Sequence, residues 1–374
     1  MYLDYAATTP LHPLVLEAML PHLSGSFANA ASIHRAGQRS RRAVEEAREA
    51  VAHAIGATGG QVIFTSGATE ADNLALRAVM ATKPGGHLVT SVLEHPAVLE
   101  SARFLERTGV EVSYIEPDRS GAITALSVRG ALRPETALVA LMQVNNETGI
   151  VTDVSAVSEL TREAGVLLFC DAVQGFGSVP VSVVDLGADL LSLSGHKVYG
   201  PKGVGTLYLR DGLDLGPILY GGGQERGLRP GTLNTAAIVG MGRAAELASA
   251  NLMSESGRLV RLRDRFERAI VEGIPALVIG ADAERGPRHS CIHFPGVDGQ
   301  AFLMNLDLEG VMASLGSACS AGSPGPSHVL TAMGLTEEEA RSSVRFSFGS
   351  DLTAADIDLA AERVLRAARR SLAD

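Results

Sequence analysis

The chain of 374 residues has no tryptophan, three cysteines and, among 32 basic residues, only three lysines. Cys170, Cys291 and Cys319 are far apart, odd in number and form no C-x-x-C, so neither a disulfide framework nor a zinc knuckle is suggested. No apolar run approaches the roughly 20 residues of a membrane span. The opening MYLDYAATTP carries an acid where a secretory signal needs cations. We therefore expect a cytoplasmic protein with no membrane partner. A net charge of -10, with no interleaving of aromatic and basic residues, argues against direct nucleic-acid binding. No G-x-G-x-x-G follows a strand and no G-x-x-x-x-G-K-[ST] is present, so neither a dinucleotide nor a nucleoside triphosphate is the obvious ligand. What is there, 46% apolar and 20% charged residues, is an ordinary globular composition, long enough for two domains.

The scarcity of lysine makes the three that remain informative. A guanidinium never loses its proton in a protein, whereas a lysine ammonium can, and it can then attack a carbonyl. Lys83, in ATKPGG, reads as a solvated residue at a helix end. Lys197 and Lys202 share SLSGHKVYGPKGVG, which is too rich in turn residues for a plain helix or strand. That segment alone is equally compatible with a tight turn carrying incidental charges.

From about residue 60 to 210 short apolar β-branched runs (QVIFTS, HLVTSVLEH, VEVSYIEPD, TALVALMQVNNE, GVLLFCDAVQ, ADLLSLSGHK and VGTLYL) alternate with helical patterns such as ATEADNLALRAVMATK. This alternation predicts an α/β fold with a mainly parallel sheet wrapped by helices. Ligands of such sheets bind beyond the carboxyl ends of the strands. Polar residues bunch at just those points: SGATE, EH, NNE, DAVQ and SGHK. Five such clusters after successive strands suggest one shared site. Residues 211 to 236, with GGGQERGLRPGT, read as an ordered loop lining a site. A helix is expected from Ala236 to about Ile270. Beyond it, ALVIG, SCIHF, VMASLG and VRFSF between helices predict a smaller α+β domain, with helix starts at Thr336/Glu339 and Thr353/Asp356. The expected division is 15–255 for the large domain, and 1–14 with 256–374 for the small one.

SGATE, between a strand and a helix, is either an ordinary N-cap or an anion site in which Thr69 adds a hydroxyl. Asp171 ends an apolar strand, where a carboxylate is costly unless a cation meets it. An acid for a pyridinium nitrogen, a lysine and a phosphate cup are together the parts that pyridoxal phosphate requires. His95, at a strand-to-helix turn, could stack on a cofactor ring or carry protons. Cys170 and Cys291 lie in apolar strands as buried hydrophobes. Cys319, in GSACSAGSPGPSHVL, is a candidate nucleophile or sulfur carrier. Arg345, on an apolar strand, should pair with a carboxylate of either the protein or a substrate.

From LDYAATTP through NAASIHRAG, FTSGATEADN, EHPAV, NNETG, DAVQ, SGHKVYGPKGVG, GGGQERGLRPGT and GSACS to VRFSFG, nearly the whole chain resembles the cysteine desulfurases of the NifS/IscS kind, in the class V aminotransferase family of pyridoxal-phosphate enzymes. It departs from them in small-for-small changes: NAASIH for N-P-S-S-x-H, SGATE for SGGTE and SGHK for SAHK. The resemblance implies a fold type I enzyme in which Lys197 is bound to the cofactor. Ala68, Thr69, Ser194 and His196 would hold the phosphate, with Thr232 reaching it from the other subunit of a homodimer. Asp171 would pair with the ring nitrogen, Asn146 and Gln174 would contact ring substituents, and His95 would stack on the ring. Arg345, with Asn29 and Asn146, would bind L-cysteine.

In the implied reaction Cys319 takes the sulfur as a persulfide and L-alanine is released. The acceptor would be an iron-sulfur scaffold or a thiolation enzyme. No resident metal is implied, although Cys319 could carry an iron-sulfur cluster transiently. The chain stops at RAARRSLAD, short of the tail through which longer members dock a scaffold, and the long Cys319 loop implies direct delivery to an acceptor. A selenocysteine lyase or aminotransferase on the same fold would share Lys197 and Asp171 without needing Cys319. A non-catalytic sulfur-handling partner would need neither.

Overall fold

The computed structural model describes residues 1–316 and 325–373. The apolar runs become strands: β1 (Val62–Thr65), β2 (His87–Ser91), β3 (Glu111–Ile115), β4 (Thr136–Met142), β5 (Leu167–Asp171), β6 (Leu190–Ser194) and β7 (Gly205–Leu209), joined in the order β1-β7-β6-β5-β4-β2-β3. TALVALM of β4 is buried at every position, as a central strand covered on both faces must be, whereas EVSYI of β3 at the edge is mostly part-exposed. Strands β2 to β6 pair in parallel, β7 runs antiparallel to β6, and β1 antiparallel to β7. Two reversals return β1 to the direction of β6. The carboxyl ends of β1, β2, β4, β5 and β6 therefore share one edge of the sheet.

Alternate residues of each strand serve opposite faces. Val62, Phe64, Leu168 and Cys170 pack with α1 (Pro13–Leu23), α2 (Arg35–Ala54), α6 (Val154–Ala164) and α7 (Val183–Leu186), the helix α5 (Ala125–Ala131) adding Val128. Ile63, Leu88, Leu138 and Phe169 pack with α3 (Ala68–Ala81) and α4 (Pro96–Arg107). Each fully buried side chain of this size contributes about 1.5–3 kcal/mol.

The long helix α8 (Thr235–Gly273) belongs to two cores in succession. Ala237, Ile238, Met241 and Ala244 pack on the first, while Leu259, Leu262, Phe266 and Ile270 pack on the second. The second core lies under an antiparallel sheet of β8 (Leu277–Val278), β9 (His289–His293), β10 (Ser314–Leu315) and β11 (Ser343–Ser347), in the order β10-β11-β9-β8. With α9 (Gly299–Leu308), α10 (His328–Ala332), α11 (Glu337–Arg341) and α12 (Ala354–Ala373) it makes the smaller α+β unit. VMASLG contributes only the two residues of β10. The expected caps are present, with Thr336 and Glu339 forming a capping box and Thr353 and Asp356 bonding in the same way. Residues 3 to 5 join this unit too, through Leu3 and Tyr5 in its core and a bridge from Asp4 to Ser347.

Where β7 begins, the backbone passes hard against the turn before α3. A Cβ on Gly205 would lie 2.5 Å from the Gly67 carbonyl carbon and 2.7 Å from the Leu193 oxygen. Both neighbours are main chain and cannot rotate away. Gly205→Ala should therefore lower stability by about 1–3 kcal/mol, the usual cost of overpacking. The urea midpoint reads this, and a wild-type midpoint would mean that the Gly67 turn moves freely.

Candidate active site

The polar clusters after β1, β2, β4, β5 and β6 open on one cavity of about 450 Å³. Lys197 ends a single 3-10 turn, Gly195–Lys197, directly after β6. Its Nζ donates to the carbonyls of Ala6 (2.6 Å) and Ala7 (2.9 Å). The turn is pinned from outside, since Thr9 donates its N–H (2.9 Å) and its hydroxyl (3.0 Å) to the His196 carbonyl. Tyr199, two residues on, has φ +62°, a left-handed conformation that costs a non-glycine residue about 1–2 kcal/mol. It is held there by its N–H to Thr9 Oγ1 (2.7 Å) and by the His12 N–H to its carbonyl (3.0 Å).

Ala68 and Thr69 bring the first turn of α3 to the cavity wall. The N-cap is Gly67, and no side chain among the described residues caps this helix. Its first N–H groups and its dipole are thus available to an anion. Ser194 and His196 line the same cavity, the His196 Nδ1 lying 3.2 Å from Thr8 Oγ1. Burial, then Lys197 and Lys202, pushes the His196 imidazole down to about 4. His95 caps α4, its Nδ1 accepting the Ala97 N–H at 3.1 Å, so that the proton of the neutral ring sits on Nε2. Burial, followed by Lys197 and His328, pushes it down to about 4 as well. Both rings are neutral at pH 7.

Asp171 stands at the end of β5 with Oδ1 accepting the Val173 N–H (2.9 Å). Burial raises its pKa, the Val173 bond and Lys197 acting in the opposite direction. Gln174 donates from Nε2 to the Ala6 carbonyl (3.0 Å), and its Oε1 lies 3.2 Å from His289 Nε2. Asn146 lines the cavity, while Asn145 is occupied within its own turn.

Arg345 and Asn29 stand outside this cavity, and so does Thr232, which was expected to serve the other subunit. Arg345 is buried but does not line the cavity; its Nη2 donates to Asp4 Oδ1 (2.8 Å), its Nη1 to the Asn146 carbonyl (2.9 Å), and its Nε has no partner among the described residues. Asn29 is exposed, its Oδ1 accepting the Ala31 N–H (2.9 Å), and it faces a separate cavity with Arg41, Gln224 and Leu233. Thr232 is exposed and outside both cavities. The loop of 211 to 236, expected to line a site, lines the cavity that Asn29 faces, and Glu225 anchors it there. The Glu225 carboxylate takes two bonds from Arg48 (both 2.7 Å) and one from the Phe64 N–H (2.6 Å), with Glu225 and Arg226 at φ +44° and +58°. Cys319 lies outside the described residues.

Sequence reasoning missed the carbonyls of Ala6 and Ala7, which no side-chain motif reveals, and two buried acids. Asp72 lines the cavity, and burial, then Asp171, raises its pKa strongly. Its signal was position, since Asp72 shares a face of α3 with buried Leu76 and Val79. Glu94 accepts from Ser91 Oγ (2.6 Å), its Oε2 has no partner among the described residues, and burial with Asp171 nearby pushes it up to about 8.

An uncapped helix start with nearby hydroxyls suits a phosphate, and a buried carboxylate across the cavity suits a protonated ring nitrogen. This donor set fits a small aromatic phosphate ester joined to a lysine. Residues 1–359 match the family model described as Aminotransferase class-V, and the chain belongs to that family. Within it, the chain is 46% identical over 362 residues to the cysteine desulfurase IscS of Dictyoglomus turgidum, covering 96% of this chain and 92% of that one. A solved NifS-like protein superposes with a TM-score of 0.92 at 32% identity over 98% of both chains. SspA, solved in complex with cysteine, superposes with a TM-score of 0.83 at 38% identity, over 93% of this chain and 98% of its own.

Glu94 supplies a stability test. Its carboxyl is protonated in the fold up to about pH 8, whereas in the unfolded chain it ionises near the ordinary value of about 4.3. Between those limits the folded state holds the extra proton, so stability falls as pH rises, by at most about 1.4 kcal/mol per unit, and levels off above the folded pKa. Glu94→Gln should lose this slope. Urea midpoints across the window should show the variant gaining on wild type as pH rises; a gap independent of pH would mean that Glu94 is ionised in the fold.

Proposed function

We propose that the protein is a pyridoxal-phosphate-dependent cysteine desulfurase, which takes sulfur from L-cysteine, releases L-alanine and carries the sulfur as a persulfide on Cys319. The observation that carries this reading is the convergence of Lys197, Asp171 and the uncapped start of α3 on one cavity. Ala68, Thr69, Ser194 and His196 would hold the phosphate. Asp171 would face the ring nitrogen, whose positive charge offsets the burial that raises the carboxyl. Asn146 and Gln174 would meet the ring substituents, and His95, neutral and on the cavity wall, suits packing against an aromatic ring.

When bound, the cofactor supplies a sink for the electron pair left as the substrate α-proton departs. Lys197 holds the cofactor and then moves that proton at Nζ. Arg345 receives the substrate carboxylate, a role supported by its Nε, which has no partner among the described residues, and by the bond that ties it to Asn146. Cys319 Sγ attacks the substrate sulfur, the carbon–sulfur bond breaks, and the carbon takes up a proton. Cysteine and enzyme thiol become alanine and enzyme persulfide, so the step needs no oxidant. The persulfide passes to an iron-sulfur scaffold or a thiolation enzyme.

The working form in this reading is a homodimer. Asn29 and Thr232 lie away from the Lys197 cavity of their own chain, and the segments that carry them also hold the exposed apolar residues Phe27, Ile33 and Tyr220. That placement suits two loops completing the other subunit's cavity. No helix among the described residues is long and apolar enough to cross a membrane.

With L-cysteine and dithiothreitol the enzyme should release sulfide and alanine in equal amounts. Cys319→Ser should lose sulfide release but keep the cofactor's visible absorbance, and mass spectrometry should find the added sulfur of the wild type on the Cys319 peptide. Lys197→Ala should lose absorbance and turnover together, and Lys83→Ala should keep both. Wild-type sulfide release by the Cys319 variant would turn the reading to a lyase, and transfer of the amino group to a keto acid would turn it to an aminotransferase.

Arg345→Ala should raise KM for cysteine about tenfold to a hundredfold, as loss of a charge-assisted contact of about 1.5–3 kcal/mol implies. An unchanged KM would leave Asp4 as its only carboxylate.

A further inference from the structure

Behind the turn that presents Lys197 lies a second cavity, of about 270 Å³, walled by the middle of α8, by Tyr199 and by Arg288. Arg288 is only 2% exposed. Its Nη1 donates to the Lys197 carbonyl at 2.9 Å, and among the described residues that is the one hydrogen bond of its side chain. Its Nε is buried with no partner among the described residues. Among the described residues no carboxylate forms an ion pair with it. Glu255, which lines the same cavity, is committed to Arg258 at 2.9 Å.

A buried charge is costly unless paired, and an arginine cannot escape by losing its proton. The other buried arginines of this protein are paired: Arg48 with Glu225, Arg345 with Asp4 and Arg263 with Asp264. Arg288 stands apart from them, and its unmet donors belong to a residue lining a space large enough for a small molecule. Leu247, Leu252 and Leu259 give that space an apolar wall. One cation matches one negative charge, and Glu255 in the same cavity opposes a second.

We propose that this cavity is a ligand site, separate from the Lys197 cavity, for a small organic monocarboxylate whose carboxylate meets Arg288 and whose hydrocarbon chain lies on the three leucines. Because Arg288 also holds the Lys197 carbonyl, the ligand would rest against the residue that fixes the back of the catalytic turn.

Isothermal titration of the cofactor-loaded enzyme with sodium butyrate tests this, with butanamide as the neutral isostere. Butyrate should bind saturably, with a Kd below about 10 mM, and butanamide should not. Arg288→Gln should weaken butyrate about tenfold or more, the loss of a charge-assisted contact. Ala248→Phe, which fills the cavity and leaves the charge in place, should do the same even if Arg288→Gln fails to fold. Arg345→Ala should leave binding intact. No saturable binding to wild type, equal binding of butanamide, or binding that survives Ala248→Phe and is lost in Arg345→Ala would each overturn the proposal.

Discussion

Everything at the Lys197 cavity depends on residues 3 to 9, a strut that bonds to both halves of the molecule. At one end Leu3 and Tyr5 are buried in the second core, the Leu3 carbonyl accepts the Ser347 N–H (2.7 Å), and the Ala6 N–H donates to Ser347 Oγ (2.8 Å). At the other, Ala6 and Ala7 offer carbonyls to the Lys197 ammonium, and Thr9 holds the turn on which that lysine stands. Buried main-chain groups must find partners, and here the catalytic candidates supply them. The position of Lys197 relative to Asp171 is thus set by the second sheet as well as by the first.

The charges around this strut follow from burial. His95 and His196 are neutral, Glu94 is held in its protonated form, and Asp72 and Asp171 are pushed in the same direction. In a class-V aminotransferase site the consequence is economy of charge: few full charges remain, and each acts at short range in a medium that screens poorly. The same logic makes Arg288, a buried cation with no ion pair among the described residues, stand out on the far side of the turn.

Much of the architecture follows from the order of residues along the chain. The strands were legible because a strand buried on both faces must be almost wholly apolar, as β4 is. The shared edge was legible because polar residues cannot stay within such strands and collect at their carboxyl ends. The scarcity of lysine drew attention to Lys197. Asn29 and the glycine-rich loop were harder, since motif order along a chain carries no information about which cavity a loop will face. The Glu225–Arg48 pair, between residues far apart in sequence, decided that.

By itself, then, the sequence determined the periodicities, the caps and the inventory of reactive groups, all of which are properties of neighbouring residues. Thr336 with Glu339 is a bond across one helical turn, and no distant residue alters it. Only the tertiary structure decided that Asp4 would answer Arg345, that the carbonyls of Ala6 and Ala7 would hold Lys197, and that Asp72 and Glu94 would be buried beside Asp171. Protonation and pairing depend on which groups share a volume of low dielectric, and in this chain those groups come from segments separated by up to 341 residues.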